Sequence, residues 1–452
     1  MLSVLGNRTY RHLFAAQVLS LIGTGLTTVA LGLLAYDLAG AQAGQVLGTA
    51  LAIKMVAYVG LAPVAAALAG KVPRRRFLVG LDLCRAGMVL FLPFVSAVWQ
   101  VYLLVFLFQA CSAAFTPTFQ ATIPDVLTDE KDYTNALSLS RLAYDLESLI
   151  SPMLAGLLLT VMSFHWLFVG NGIAFLASAA LVISVILPAI RPESVARPFR
   201  ERLTRGAFIY LRTPRLRGLL ALSFAVSSAG SMVIVNTVVY VREVLGGGDQ
   251  DVAFLFASYG VGSMLVALAL PRLLDRLPPR TVMLSGGGLL AVALPFGVLE
   301  PGYAAAMGLW TVVGIGVSLI MTPSGLLLRR SSHAEDRPAL FAAQFALSHA
   351  CWLIAYPTAG WLGPLIGLPN TFVVLAGGVV LGCAVAWAVW PSRDPEVIEH
   401  EHDGITHVHG EPDDAHHGPG RVEWRPDGAH RHKPVRHAHA FVIDDHHPAW
   451  PR

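Results

Sequence analysis

The sequence predicts an all-α membrane protein: twelve transmembrane helices in two pseudo-symmetric six-helix bundles, followed by a disordered cytoplasmic tail. Three observations predict it: long apolar runs, basic residues gathered in alternate connections, and a repeat between the two halves. Of 452 residues, 55% are hydrophobic and 13% charged, too apolar for a soluble chain, and a run of about 20 apolar residues is what a helix needs to cross a bilayer. The net charge of +3 hides a division, because residues 392–452 hold seven Lys/Arg against twelve Asp/Glu while residues 1–391 hold 25 against 17.

The first apolar run, residues 13 to 36, is longer than the roughly 7 to 15 residues of a signal-peptide core and lacks a cleavage site, so it is the first span. Further spans begin near residues 45, 77, 101, 138, 166, 218, 252, 281, 304, 339 and 370. Orientation follows from the arginines, since connections that stay in the cytoplasm carry the excess of Lys and Arg. Arg8 and Arg11 precede span one, Lys71, Arg74, Arg75 and Arg76 follow span two, and eight arginines lie between residues 191 and 217. Arg272, Arg276 and Arg280 flank the turn after span eight, and Arg329, Arg330 and Arg337 the turn after span ten. Of the alternate connections, only 242–251 holds a basic residue, Arg242. Both termini are therefore expected in the cytoplasm.

The chain divides into an N-terminal bundle (1–187), a basic cytoplasmic linker (188–217), a C-terminal bundle (218–391) and a tail (392–452). Thr116-Pro117-Thr118 in span four recurs as Thr322-Pro323-Ser324 in span ten, 206 residues later. Pro152 followed by Ala155-Gly156 is answered by Pro357 followed by Ala359-Gly360. Parallel six-helix repeats with a binding site between them are a transporter architecture.

Span five carries Arg141, Asp145 and Glu147. A carboxylate in the bilayer interior costs about 2.5 to 3.5 kcal/mol on insertion scales, so such residues face a polar cavity and mark ion or substrate paths. At 1.5 Å of rise per residue both acids stand roughly 10 to 14 Å deep, and Lys54 and His349 reach similar depth. Asp145 shares a helix face with Arg141, four residues earlier, while Glu147 is rotated by about 200°. Two readings follow. In the functional one, Asp145 or Glu147 exchanges a proton, and the acids receive a divalent cation with His349 and with Cys351 or Gln344; uptake only when deprotonated couples metal to protons. In the packing one, Arg141 pairs with Asp145, Glu147 with Lys54, and His349 with a backbone carbonyl. Asp82 and Arg85 read as a structural ion pair, and Gln109, Cys111 and Asn236 as helix-packing residues.

Past Pro391 the apolar periodicity stops, and the composition is that of a metal-free disordered segment. Twelve of the sixteen histidines are here. They form the His-x-His units His400/His402, His407/His409, His430/His432 and His437/His439, and the pairs His416/His417 and His446/His447. In an extended chain residues i and i+2 share a side, so each unit offers two imidazoles to an ion such as nickel, copper, zinc or iron. The interruption of the pairs argues against a purification tag. The four cysteines, Cys84, Cys111, Cys351 and Cys383, lie singly in apolar runs, which disfavours a disulfide framework or a CxxC metal motif. The arginine clusters sit at membrane faces rather than on a nucleic-acid surface, and no nucleophile motif or phosphate loop suggests an enzyme.

Across residues 1–391 the chain resembles the major facilitator superfamily of transporters. That family's Gly-x-Leu-x-Asp-Arg-x-Gly-Arg turn is matched after span eight by Leu273, Asp275 and Arg276, and more loosely after span two by Leu68, Lys71 and Arg74, where Gly70 stands for the Asp. The resemblance implies a gating role for Lys71, Arg74, Asp275 and Arg276. Ser151-Pro152 through Gly156 resembles the helix-five motif of the family's exporters. Gly6-Asn7-Arg8-Thr9-Tyr10-Arg11, the stretch 115–125 ending in Ile123-Pro124-Asp125, Ala136-Leu137-Ser138-Leu139-Ser140-Arg141 and the histidine tail together resemble bacterial nickel-resistance exporters of that superfamily. This implies nickel efflux across the bacterial inner membrane driven by inward protons, with cobalt or zinc as lesser substrates. The expected working unit is a monomer with no tightly bound cofactor, its partners being metal, protons and lipid. Export of an organic molecule or metal chelate, with the tail only sensing or buffering metal, is the alternative; a membrane-anchored metal store is a third reading, for which twelve helices are excessive.

Overall fold

The computed structural model describes residues 2–39, 43–69, 72–188 and 198–394. In the tail it describes the strand backbones at 397–402, 406–407, 422–424, 430–432 and 435–440, and residues 441–444, 447, 449 and 450. Among the described residues fourteen α-helices follow one another: α1 (Arg8–Ala39), α2 (Ala43–Ala69), α3 (Arg74–Phe91), α4 (Val98–Val126), α5 (Glu130–Leu159), α6 (His165–Ile183), α7 (Phe199–Arg212), α8 (Pro214–Val239), α9 (Asp249–Leu274), α10 (Pro279–Ala293), α11 (Tyr303–Met321), α12 (Ser324–Arg330), α13 (Arg337–Ile366) and α14 (Leu368–Val389).

Among the described residues ten helical runs are long and apolar enough to cross a membrane. The two predicted spans outside that set are α2, whose apolar stretch is Ala52–Ala67, and α5, which carries the buried charges. Span five begins at Glu130 rather than near 138 because Asp129 caps it, its carboxylate accepting from the Asp132 N–H at 2.9 Å. Acidic Glu130 and Asp132 in the first turn suit the positive end of the helix dipole. The helix thus starts before its apolar part does.

Small residues let the spans approach. Gly262 on α9 and Gly314 on α11 are reciprocal: a Cβ on either would lie 2.0 Å from the carbonyl oxygen of Thr311 or Tyr259 respectively. This is the close backbone contact that small residues permit between membrane helices. In the C-terminal half, α8 is the central helix, with 78% of its apolar window buried. The sequence repeat diverges locally. Pro117 stays inside α4, whereas Pro323 separates α11 from α12. Beside Pro117, the Thr118 and Thr122 hydroxyls each donate at 2.8 Å to the carbonyls four residues back.

The linker contains α7, an amphipathic helix that buries Arg205, Gly206, Ile209 and Tyr210. Arg205 holds Asp336, between α12 and α13, with two hydrogen bonds of 3.1 and 3.2 Å. The linker is thereby fastened to the arginine-rich ends of the C-terminal spans. Composition predicts a tail without regular structure, yet its described residues include β1 (Val397–His402), β2 (Thr406–His407), β3 (Val422–Trp424), β4 (His430–His432) and β5 (Val435–Ala440). β1 pairs with β5, and β4 lies between β2 and β3, all antiparallel. The alternation that creates His-x-His is also the two-residue period of a strand.

Candidate functional site

The middle of α5 meets both bundles. Arg141 sits one turn before Asp145, and its Nη2 lies 3.1 Å from Asp145 Oδ1. The same guanidinium reaches across the bundle interface, where its Nε donates to Ser263 Oγ on α9 at 2.8 Å. Asp145 is 5% exposed. A carboxylate so buried is stabilised only while a donor faces it. Glu147, two residues on, is turned toward α1: a Cβ placed on Gly25 would lie 2.6 Å from its Oε1 and 2.2 Å from Ser151 Oγ. The glycine makes room for the acid. Lys54 on α2 supplies the charge that acts on Glu147, although no direct ion pair joins them among the described residues.

Lys54 also leads to His349. Its Nζ stands 5.5 Å from the centre of the Tyr58 ring, and Tyr58 meets His349 edge-on at 4.8 Å, across the contact between α2 and α13. His349 Nδ1 is 2.7 Å from the Phe345 carbonyl oxygen. Since a carbonyl only accepts, Nδ1 carries the hydrogen, and Nε2 is the lone-pair nitrogen of the neutral ring.

Between the bundles lies a cavity of about 180 Å³ whose polar lining includes Gln17, Gln120, Ser140, Arg141, Thr322 and Gln344. Ser140 donates to Gln17 at 3.1 Å. Arg141 is thus shared between the cavity, Asp145 and the second bundle. Of the predicted coupling residues it alone lines this cavity. The five form two groups, Arg141 with Asp145 and Lys54 with Glu147 and His349. The structure does not draw them into one shell, and among the described residues no cluster of three or more His, Cys, Asp or Glu is placed to hold a metal.

The arginine-rich face is latched shut. Asp125, at the end of α4, receives Arg74 Nη1 at 2.8 Å through one oxygen and Arg337 Nη1 of the other bundle through the second. Arg330 holds Glu130 at the start of α5, with Nε to Oε2 at 3.1 Å, and Arg329 donates to the Thr128 carbonyl. Arg74, predicted as a gating residue, is therefore engaged. Its repeat counterparts Asp275 and Arg276 are exposed and have no side-chain partner among the described residues. Lys71 lies outside the described residues. Sequence reasoning passed over Asp125, Glu130 and Ser263. The signal for Asp125 was present, as the last residue of a quoted stretch, but a carboxylate ending an apolar run reads as a boundary.

The packing expectations hold for Asp82 and Arg85, which pair directly at 0% and 4% exposure. Ser178 donates to Asp82 at 2.8 Å, and the Arg85 guanidinium is stacked between Phe115 and Phe175 at 4.0 and 4.5 Å. Each charge meets the other and a further group, so this pair holds α3 to α4 and α6. Asn236 likewise donates to the Ala359 carbonyl at 3.1 Å. In the tail, His447 is described, and its Nδ1 lies 2.9 Å from Asp444 Oδ1. For His400, His402, His407, His430, His432, His437 and His439 the strand backbone is described, whereas His409, His416, His417 and His446 lie outside the described residues.

A family model described as Major Facilitator Superfamily matches residues 13–248 and 220–436. The chain is 24% identical over 397 residues to an uncharacterized MFS-type transporter, YvqJ, of Bacillus subtilis strain 168, covering 82% of this chain and 90% of that protein. Among solved structures, the human organic anion transporter MFSD10 superposes with a TM-score of 0.71 at 13% identity, covering 84% of this chain and 99% of that one. A bacterial homologue of the iron transporter ferroportin, in an outward-facing state, superposes with a TM-score of 0.71 at 15% identity, over 84% and 98%.

Proposed function

The chain belongs to the major facilitator superfamily, and from that premise we propose that it exports a divalent metal cation, nickel first and cobalt or zinc as lesser substrates, by proton antiport. It is a multi-pass membrane transporter; the proposal concerns cargo, coupling and direction. The arginine-rich face is the cytoplasmic one, the membrane is a bacterial inner membrane, and the working unit is a monomer. The latched state is then closed to the cytoplasm, and loading requires Asp125 to release Arg337.

The observation that carries this reading is that α5 holds two mid-depth acids on opposite faces, and only Asp145 has a guanidinium beside it. Asp145 is neutralised by Arg141, so a cation or proton arriving there competes with that guanidinium. Released Arg141 keeps its hydrogen bond to Ser263 of α9, which carries the event into the second bundle. Glu147 faces Lys54 without direct contact and is the acid that changes charge with the least loss of partners. The lone-pair Nε2 of His349 supplies an imidazole from the second bundle. The histidine tail would gather the ion at the cytoplasmic face.

A second reading is favoured by the cavity lining itself. One guanidinium with amides and hydroxyls suits an organic molecule or metal chelate with anionic character better than a bare cation, which Arg141 repels. Counterflow in proteoliposomes under an imposed pH gradient, with free nickel, cobalt and zinc compared, tests both. Movement of free nickel against protons supports the first reading; movement of chelate alone supports the second.

A further inference from the structure

The linker helix α7 turns two arginines onto its docked face, and one of them has nothing to hold. Arg202, Arg205, Gly206 and Ile209 recur at the spacing that lines up one side of a helix. That side is pressed onto α13 so closely that a Cβ on Gly206 would lie 2.0 Å from the Ala339 carbonyl oxygen. On it, Arg205 meets the Asp336 carboxylate and Tyr210 donates to Gln344. Arg202, one turn earlier, makes no hydrogen bond or ion pair among the described residues, and its Nε is buried. A buried polar nitrogen without an acceptor is costly, and more so on a charged group. The missing partner is an anion.

Arg202 is also the one charged residue lining an apolar cavity of about 220 Å³ between α2, α7 and α13. The rest of that lining is apolar, with Val59 and Pro63 on α2 and, one per turn along α13, Ala339, Ala343, Ala346 and Ala350. From Ala339 to Ala350 the helix rises about 16 Å into the bilayer. Val56 and Ile354, one turn deeper on either helix, are exposed, so the deep end opens outward. A cavity walled by apolar side chains stays dry and takes hydrocarbon. The outer face of α7 suits the same neighbour. Phe208 and Leu211 are exposed there beside exposed Arg200 and Arg212, and the Arg212 guanidinium lies 4.2 Å from the Phe208 ring. Apolar side chains interleaved with arginines mark a helix lying in the headgroup layer, where anionic lipid attracts basic residues.

We propose that α2, α7 and α13 form a site for one anionic phospholipid of the leaflet at the arginine-rich face, its phosphate held by Arg202 and one acyl chain laid along the alanines of α13. Charge at the α7 end and hydrocarbon toward the bilayer interior reproduce the polarity of a lipid in its own leaflet. Because α2 belongs to the first bundle and α13 to the second, the bound lipid bridges the two. The site is separate from the cavity that Arg141 lines and holds whatever the cargo is.

Native mass spectrometry of the purified full chain, titrated in turn with phosphatidylglycerol, phosphatidylcholine and inorganic phosphate, tests this. Phosphatidylglycerol should fill one saturable site, and the zwitterionic phosphatidylcholine should bind there about fivefold more weakly, the worth of one arginine facing an anionic headgroup. Arg202→Gln should weaken phosphatidylglycerol by a similar factor and leave folding intact, since Arg202 has no partner in the fold. Ala350→Leu, which fills the deep end and keeps the charge, should weaken both lipids. Arg200→Gln, on the outer face, should change neither. Equal binding of the two lipids, or unchanged affinity in Arg202→Gln, would overturn the phosphate contact. Unchanged affinity in Ala350→Leu, or displacement of phosphatidylglycerol by inorganic phosphate, would overturn the acyl-chain groove. An equal loss in Arg200→Gln and Arg202→Gln would replace the site by diffuse attraction to the basic linker.

Discussion

Asp125 joins Arg74 of its own bundle to Arg337 of the other, each guanidinium taking a different carboxylate oxygen. The side chain is 11% exposed and Arg74 2%, so neither charge has water to fall back on. Removing one partner of a buried pair costs about 3 to 5 kcal/mol. If the bundles part at this face during transport, that cost falls on the latched state alone.

Asp125→Asn should therefore shift the protein toward opening at the arginine-rich face, by tenfold or more for each 1.4 kcal/mol lost. Spin labels at positions 131 and 335, on opposite sides of the latch, read this as a longer distance. An unchanged distance distribution would show that Glu130 and Arg330 hold the face closed without Asp125.

The mid-depth acids separate by their partners. Asp145→Asn keeps a group that still accepts from Arg141, so the chain should insert and fold, while proton-driven transport is lost. Arg141→Ala is harsher, since it leaves Asp145 buried without its guanidinium, and a lower Tm should accompany the loss. Full transport by Asp145→Asn would remove that residue from the coupling path. Folding is followed by size-exclusion profile and Tm, and transport in proteoliposomes.

Glu147 and Lys54 should compensate for one another if their charges act across the gap between α5 and α2. Glu147→Gln alone and Lys54→Gln alone each leave one uncompensated charge, and the double variant restores neutrality. The expected result is better insertion and stability in the double variant than in Lys54→Gln, with coupling still absent. Additive losses would show that the two do not sense each other.

How much of this was legible follows from what each feature depends on. Spans are local: apolar length alone located α4 and α14, and the paired prolines marked the repeat. The start of α5 was missed because Glu130 and Asp132 are polar residues serving as a first turn, which hydropathy reads as loop. Helix faces could be assigned from spacing, so the Arg141–Asp145 pair was foreseen in the packing reading, and His349 meets a backbone carbonyl as that same reading required. What spacing cannot supply is a partner on another element. Ser263 for Arg141 and Arg337 for Asp125 become visible only when the bundles meet. In the tail, histidine count suggested chemistry, but the pairing that sets His400 opposite His437 joins positions far apart in the chain, which local spacing does not reveal.

Gly314 tests the packing between α9 and α11. Its absent Cβ leaves room for the Tyr259 carbonyl, and Gly262 does the same for Thr311. Gly314→Ala should force the helices apart or strain them, at a cost of about 1 to 3 kcal/mol, seen as a lower Tm in detergent. Because α9 also carries Ser263, a partial loss of transport should accompany it. Unchanged Tm would mean that the helices slide at no cost.

The tail segment that packs Phe441 and Ile443 against the C-terminal bundle and sets Asp444 beside His333 has its own pH dependence. His333 stands between α12 and α13, outside the spans. Its pKa is raised by the hydrogen bond with Asp444, against a smaller opposing effect of burial, and by the charges of Asp444, Asp336 and Glu335. For Asp444, burial acts upward, but hydrogen bonds from His333 and His447 outweigh it and hold the carboxyl well below the usual range. The signs are opposite. A raised histidine contributes in full below its ordinary value of about 6.5 and loses that contribution as pH climbs through the raised one; a depressed carboxyl contributes above about 3.9 and loses it as pH falls. Docking of residues 441–444 is thus strongest between those limits and weakens on the alkaline side. His333 is 53% exposed at its side chain, so solvent screening confines its share to about 0 to 1 kcal/mol. Hydrogen exchange at residues 441–444 should accelerate a few-fold between pH 6 and 9 after correction for intrinsic rates. His333→Gln should flatten that rise, and an identical rise in the variant would assign it to another group.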